Sequence, residues 1–107
     1  MLSILIPIYN YNSVNLINVL HKQVSDSNIN FEIICIDDNS KHNYTEINKS
    51  VLNLNHVTYI KNTENLGRNK TRQLLCDKAK YDWLLFLDAD VLPKHDSYIS
   101  YYLSFLT

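Results

Sequence analysis

Glycine is almost missing from this sequence: the chain of 107 residues has one, Gly67. That scarcity excludes the G-x-G-x-x-G dinucleotide fingerprint and the glycine-rich P-loop, because both need several residues without a Cβ where backbone closes on phosphate. A chain so composed must meet any phosphate charge with side chains or a metal ion. A surplus of one charge is missing as well, since 10 Lys and Arg stand against 11 Asp and Glu for a net of -1. With no basic cluster to match a row of phosphates, duplex nucleic acid is excluded as a partner. Long apolar runs are absent too. The opening MLSILIPIYN is too short to span a bilayer and has no basic lead, so it reads as a strand and not as a signal peptide. Cysteine is rare: Cys35 in FEIICID and Cys76 in LLCDKAK lack a second sulfur or a His at ligand spacing, and both read as buried free thiols. The four histidines, His21, His42, His56 and His95, are scattered and carry no metal signature. A reducing, cytoplasmic location is the expectation, with the inner membrane face as a peripheral variant.

What remains is an ordinary globular composition, 46% hydrophobic and 20% charged, sized for one domain with one modest core. Four short runs rich in Ile, Leu, Val and aromatics, at residues 3–8, 31–37, 57–61 and 82–88, predict strands. Three of them are apolar on successive residues, which suits strands covered on both faces, as in a parallel sheet. Leu16, Ile17, Leu20 and Val24 repeat at helical spacing after Asn12 and Ser13, either of which can cap a first turn. Residues 44–54 predict a weaker, more polar helix, and residues 67–80 a third with Thr71, Leu74, Leu75 and Lys78 on one side. Pro93 can open a fourth, whose Tyr98, Ile99, Tyr102, Leu103 and Leu106 form an apolar face. The βαβαβαβα order predicts an α/β fold: a Rossmann-like open, mainly parallel sheet with helices on both faces. The closing YYLSFLT offers apolar surface, so a second copy or a following half of the protein is expected to cover it.

In such a sheet, ligands sit beyond the carboxyl ends of the strands. Those positions hold Pro7, Tyr9 and Asn10; Asp37, Asp38, Asn39 and Ser40; residues 62–65; and Asp88 and Asp90. Turns favour Asn, Asp and Ser in any case, but that preference does not account for carboxylates doubled at two separate strand ends. If the last strand runs extended through Asp88 and Asp90, their side chains point the same way at roughly 7 Å by Cα. Paired carboxylates are hard ligands suited to Mg²⁺ or Mn²⁺, and a bound dication relieves their mutual repulsion. A solvated turn with Asp90 capping a helix is the plainer alternative.

SILIPIYN, IICIDDNS, NLGRNKTRQ and WLLFLDADVLP, in that order and spacing, resemble the nucleotide-binding half of family 2 glycosyltransferases with the GT-A fold. The resemblance covers nearly the whole chain and implies a transferase that moves a sugar from a nucleoside diphosphate donor, a UDP-sugar foremost, to an acceptor glycan or lipid-linked sugar, with inversion. It implies that Pro7, Tyr9 and Asn10 lie beside the base, with Tyr9 stacking on it, although a tyrosine there also suits simple packing. It gives Asp38 a hydrogen bond from the base and Asp37 a supporting place in the turn. It brings Arg72 near the nucleotide or its phosphates, where an exposed helix charge is an equal alternative. Asp90 becomes the direct metal ligand and Asp88 the residue reaching ribose or metal-bound water, with Mn²⁺ or Mg²⁺ as the ion. The match departs from the family at residues 71–75, where only the arginine of the usual Ala-Arg-Asn-x-Gly survives, and at Val91, where many members carry a further Asp. The resemblance sets the acceptor half and the catalytic base beyond Thr107, so residues 1–107 are expected to bind donor with little or no transfer. Two other readings fit parts of the chain. One is a non-catalytic nucleotide-binding module completed by a partner. The other is a signalling receiver domain, which carries its acidic pair after the first strand, where this chain has Pro-Ile-Tyr-Asn.

Overall fold

The computed structural model describes residues 1–91 and 98–104. The elements run β1 (Leu2–Ile8), α1 (Val14–Asp26), β2 (Phe31–Asp37), α2 (His42–Asn48), a 3-10 helix (Lys49–Asn53), β3 (Val57–Lys61), α3 (Arg68–Lys78), β4 (Trp83–Phe86) and α4 (Tyr98–Leu103). The sheet has four strands in the order β3-β2-β1-β4, and every pairing is parallel. All four carboxyl ends therefore meet one edge. Strand order reverses between β1 and β4, and the crevice beyond that switch point is where open α/β sheets take ligands.

The apolar runs form strands because both sheet faces are covered. Leu2, Ile4, Ile6 and Ile8 of β1 and Ile33 and Cys35 of β2 pack with Leu16, Ile17, Leu20 and Val24 of α1 and Ile99 of α4. The opposite face is thinner: Leu5, Ile34 and Ile36 meet Leu75 of α3, with Leu74, Leu84 and Phe86 partly buried around them. α4 is tied to α1 by the Ile99 N–H donating to Gln23 Oε1 at 2.9 Å. This accounts for the apolar face expected on the last helix as far as Leu103. Pro93 and Leu106 lie outside the described residues. Among the described residues no helix is long and apolar enough to cross a membrane.

Four sequence expectations need adjusting. The helix expected over residues 44–54 starts earlier and breaks into α2 and a 3-10 turn, since its polar sequence buries only Thr45, Asn48 and Val51. The fourth strand ends at Phe86 and not at Asp88. β4 has β1 as its only neighbour among the described residues, and once Leu87 N–H has donated to the Leu5 carbonyl the chain leaves the sheet. Ser13 is the N-cap residue of α1 but makes no side-chain cap bond. Its hydroxyl donates to the buried Asn48 at 3.0 Å, and Asn12 Oδ1 accepts the Val14 N–H at 3.1 Å instead. Finally, Cys35 is buried, with its thiol pKa pushed up to about 12 by desolvation, but Cys76 is exposed on the outer side of α3.

Candidate functional site

The carboxyl edge is built by two turns laced together. Asn10 and Asn39, which follow β1 and β2, both hold a left-handed backbone, with φ of 49° and 61°, a region that asparagine tolerates better than most residues. Asn10 N–H donates to Ser40 Oγ at 2.8 Å, and Asn10 Oδ1 accepts the Lys41 N–H at 2.8 Å. The side chain of Asn48 holds the next stretch, donating to the Tyr11 carbonyl at 2.7 Å and accepting from the Ser13 N–H at 2.8 Å. Tyr9 and Tyr11 are thus held by their backbone while the residues stay 56% and 44% exposed. Exposed rings on a pinned backbone can stack on a flat ligand at low entropic cost.

Asp37 is fully buried. It accepts from Ser40 N–H at 2.7 Å, from Thr45 Oγ1 at 2.8 Å and from the Tyr59 hydroxyl. Burial would raise its pKa, but the hydrogen bonds from Ser40, Tyr59 and Thr45 outweigh it and hold the carboxyl below the usual range. Burial, reinforced by the contact with Asp37, pushes the Tyr59 hydroxyl well up, so it stays a donor.

Asp38 is 5% exposed and anchors the loop between β3 and α3. Its Oδ1 accepts from Leu66 N–H at 2.7 Å and Asn62 Nδ2 at 3.0 Å, and its Oδ2 from Gly67 N–H at 2.9 Å. These donors outweigh desolvation, so its pKa is also lowered. An ionised carboxylate offers roughly four acceptor positions, so Oδ2 keeps capacity for one further donor. Gly67, with φ of 91°, precedes α3 in a conformation that side chains rarely adopt, and nothing within 4 Å would meet a Cβ there. The glycine serves the backbone turn and not a close approach. Its position aims Arg68, the first residue of α3, into the crevice.

The second acidic pair differs from expectation. Asp88 to Val91 form a turn, with Val91 N–H donating to the Asp88 carbonyl at 3.1 Å, so the extended-strand argument for a shared direction does not apply. Both aspartates nevertheless face the same cleft, which has a volume of about 510 Å³. The walls come from the ends of β1 (Pro7, Tyr9, Tyr11), from Asp38, Asn65, Gly67 and Arg68, and from Asp88 and Asp90. That volume falls in the range of roughly 300–1,000 Å³ typical of small-ligand sites. Arg68 Nη2 stands 3.3 and 3.4 Å from the two Asp88 oxygens.

The cleft therefore brings together Pro7, Tyr9, Asp38, Asp88 and Asp90, each expected there from sequence. Asn10 is next to it but faces a neighbouring hollow, its amide used to join the two turns. Arg72 is not among the lining residues: its guanidinium lies 4.7 Å from the centre of the Phe86 ring, on the α3 face of the sheet. Tyr11 and Arg68 were not singled out by sequence. The alternation Tyr9, Asn10, Tyr11, Asn12 and the arginine directly after the only glycine were the available signals.

The donor set can be judged for a metal ion. Among the described residues no group of three or more His, Cys, Asp or Glu side chains could hold an ion by itself. Two carboxylates on one turn, open to a cleft, instead fit a hard cation such as Mg²⁺ or Mn²⁺, which keeps several positions for water and for ligand oxygens.

The sequence matches the family model described as "Glycosyl transferase family 2" over residues 3–106. An uncharacterized glycosyltransferase of Haemophilus influenzae is 36% identical over 93 residues, covering 84% of this chain and 29% of the relative. By structure, the chain resembles S. aureus TarS 1-349 in complex with UDP, with a TM-score of 0.79 and 24% identity, covering 98% of this chain and 31% of that one. It also resembles a mannosyltransferase from Pyrobaculum calidifontis in complex with GDP-Man and Mn²⁺, with a TM-score of 0.79 and 16% identity, covering 99% of this chain and 32% of that one. At these identities the structural likeness speaks for the GT-A fold. The chain spans about a third or less of each of these proteins.

Proposed function

The chain belongs to glycosyl transferase family 2, and from that premise we propose that residues 1–107 form the donor-binding part of a metal-dependent, inverting glycosyltransferase that takes a nucleoside diphosphate sugar, with UDP-sugars foremost. One observation carries the proposal: aromatic rings, a lowered-pKa aspartate and an exposed acidic turn share one cleft at the strand-order switch point. UDP and GDP-Man in the similar structures support a nucleotide donor.

In this reading Tyr9 stacks on the base, with Tyr11 beside it, and the spare acceptor position of Asp38 takes a base N–H. An acceptor-only carboxylate admits uracil or guanine equally. Asp90, assisted by Asp88, would hold Mn²⁺ or Mg²⁺. When bound, that ion supplies positive charge to the diphosphate leaving group and so favours its departure from the anomeric carbon. Arg72 would need to leave Phe86 to reach phosphate, and Asn10 to give up its bond to Lys41, so neither is assigned a direct contact. The acceptor, a glycan or lipid-linked sugar, must lose a proton as it attacks, and none of the described cleft residues is assigned as that base. We therefore propose that these 107 residues alone bind donor and transfer sugar slowly or not at all. The exposed free thiol of Cys76 suits a reducing compartment and supports a cytoplasmic location.

Titration calorimetry with UDP, GDP and dTDP, each with and without Mn²⁺, tests the reading. At least one should bind, Mn²⁺ should tighten it, and Asp90→Ala should abolish the tightening. Absence of binding by all three, or indifference to Mn²⁺, overturns it.

A further inference from the structure

Arg68 is the basic residue that lines the cleft among those described, and its guanidinium already faces both oxygens of Asp88. The two side chains are 66% and 50% exposed, so the pair is water-screened and inexpensive to open. Its backbone, in contrast, is held. Gly67 N–H is bonded to Asp38, and the Gly67 carbonyl accepts Thr71 N–H at 3.1 Å as α3 begins. An exposed cationic head on a pinned stem sits between two anions: the Asp88 carboxylate, and whatever phosphate enters the cleft.

We propose that Arg68 is an exchangeable cation of the cleft, which neutralises Asp88 in the free protein and turns to the diphosphate of the donor once a divalent ion engages the Asp88–Asp90 turn. This rests on the donor-site reading above. The exchange follows from charge. A dication arriving at Asp88 repels the guanidinium that shares that carboxylate, and the diphosphate brought with it offers oxygens that a planar fork binds in pairs. The swap keeps Asp88 compensated at every stage, so the acidic turn can wait in the open cleft without the repulsion of bare like charges. Arg68 thereby becomes a positioning residue for the leaving group, a place that sequence likeness would give to Arg72.

The decisive experiment is Arg68→Gln, which keeps a polar side chain but removes the charge and the far end of its reach, read in two titrations whose expected signs are opposite. Mn²⁺ alone, followed by the electron paramagnetic resonance signal of the free ion, should bind the variant a few-fold more tightly, because a screened competitor has been removed. UDP in saturating Mn²⁺, followed by calorimetry, should bind it about tenfold more weakly, the loss expected for a charge-assisted contact to phosphate. Uridine, which has no phosphate, should bind variant and parent alike. Weaker Mn²⁺ binding, unchanged UDP affinity, or an equal loss for UDP and uridine each overturns the exchange. If the parent protein binds no nucleotide at all, the donor-site reading itself falls, an outcome distinct from UDP binding that ignores Arg68.

Discussion

Two pairs of aspartates stand at or just past the ends of two parallel strands on the same sheet edge, and they have different fates. Asp37 closes β2 and Asp38 follows it, and because β2 has neighbours on both sides donors converge on both carboxylates: Ser40, Thr45 of α2 and Tyr59 of β3 reach Asp37, and Asn62, Leu66 and Gly67 from the loop after β3 reach Asp38. Asp88 and Asp90 follow β4, an edge strand among the described residues, and stand in a turn where Arg68 is the partner of Asp88. Identical chemistry thus becomes mainly scaffold at one strand end, with one acceptor position of Asp38 left over, and an open candidate metal ligand at the other. What separates them is how many N–H and O–H groups the fold carries to each.

Mutation should widen that contrast, and the largest effect is expected at Asp37. Asp37→Ala strands the Ser40 N–H and the Thr45 and Tyr59 hydroxyls inside the protein, and urea unfolding should show a loss of about 4 kcal/mol. Should stability barely change, the division between scaffold and ligand is wrong at its firmest point. Asp38→Ala frees Leu66 and Gly67, which can rehydrate from the open cleft, so a smaller loss of about 2 kcal/mol is expected. It should also weaken UDP binding more than Arg68→Gln does, because the base loses its acceptor and the loop that aims Arg68 is no longer held.

Acid should act through the same pair. Both carboxyls have folded pKa values below the unfolded value of about 3.9, so the unfolded chain binds protons first as pH falls. Their contribution is complete above that value and drains away as pH drops through the lowered folded values. Urea midpoints measured between about pH 5 and pH 2 should fall steeply for the parent and less steeply for Asp37→Asn. The smallest stability effect belongs to the other pair. Asp90→Ala should leave the unfolding free energy within about 0.5 kcal/mol, as for exposed sites generally, while removing the response to Mn²⁺. A marked loss of stability there would make the acidic turn a structural feature.

Much of this was legible in the chain. The runs 31–37 and 57–61 coincide with β2 and β3: β2, buried on both faces, leaves a nearly unbroken apolar signature, while β3, a half-exposed edge strand among the described residues, is marked by its β-branched and aromatic residues Val57, Thr58, Tyr59 and Ile60. The run 82–88 overshoots β4, since an apolar run does not reveal where its neighbour stops pairing. The arginines show the limit most clearly. Arg68 and Arg72 lie one turn apart on the same helix and either suits a phosphate, yet the first meets the cleft and the second meets Phe86.

Local pattern by itself determined the order of elements, the parallel sheet and the edge where polar residues collect, because burial and backbone preference act over a few neighbouring residues. Only tertiary structure decided which aspartates are consumed and which stay available, and which arginine faces them. For Asp38 and Asp88 those outcomes depend on donors brought from residues 20 or more positions away, as Leu66 and Gly67 are brought to Asp38 and Arg68 to Asp88.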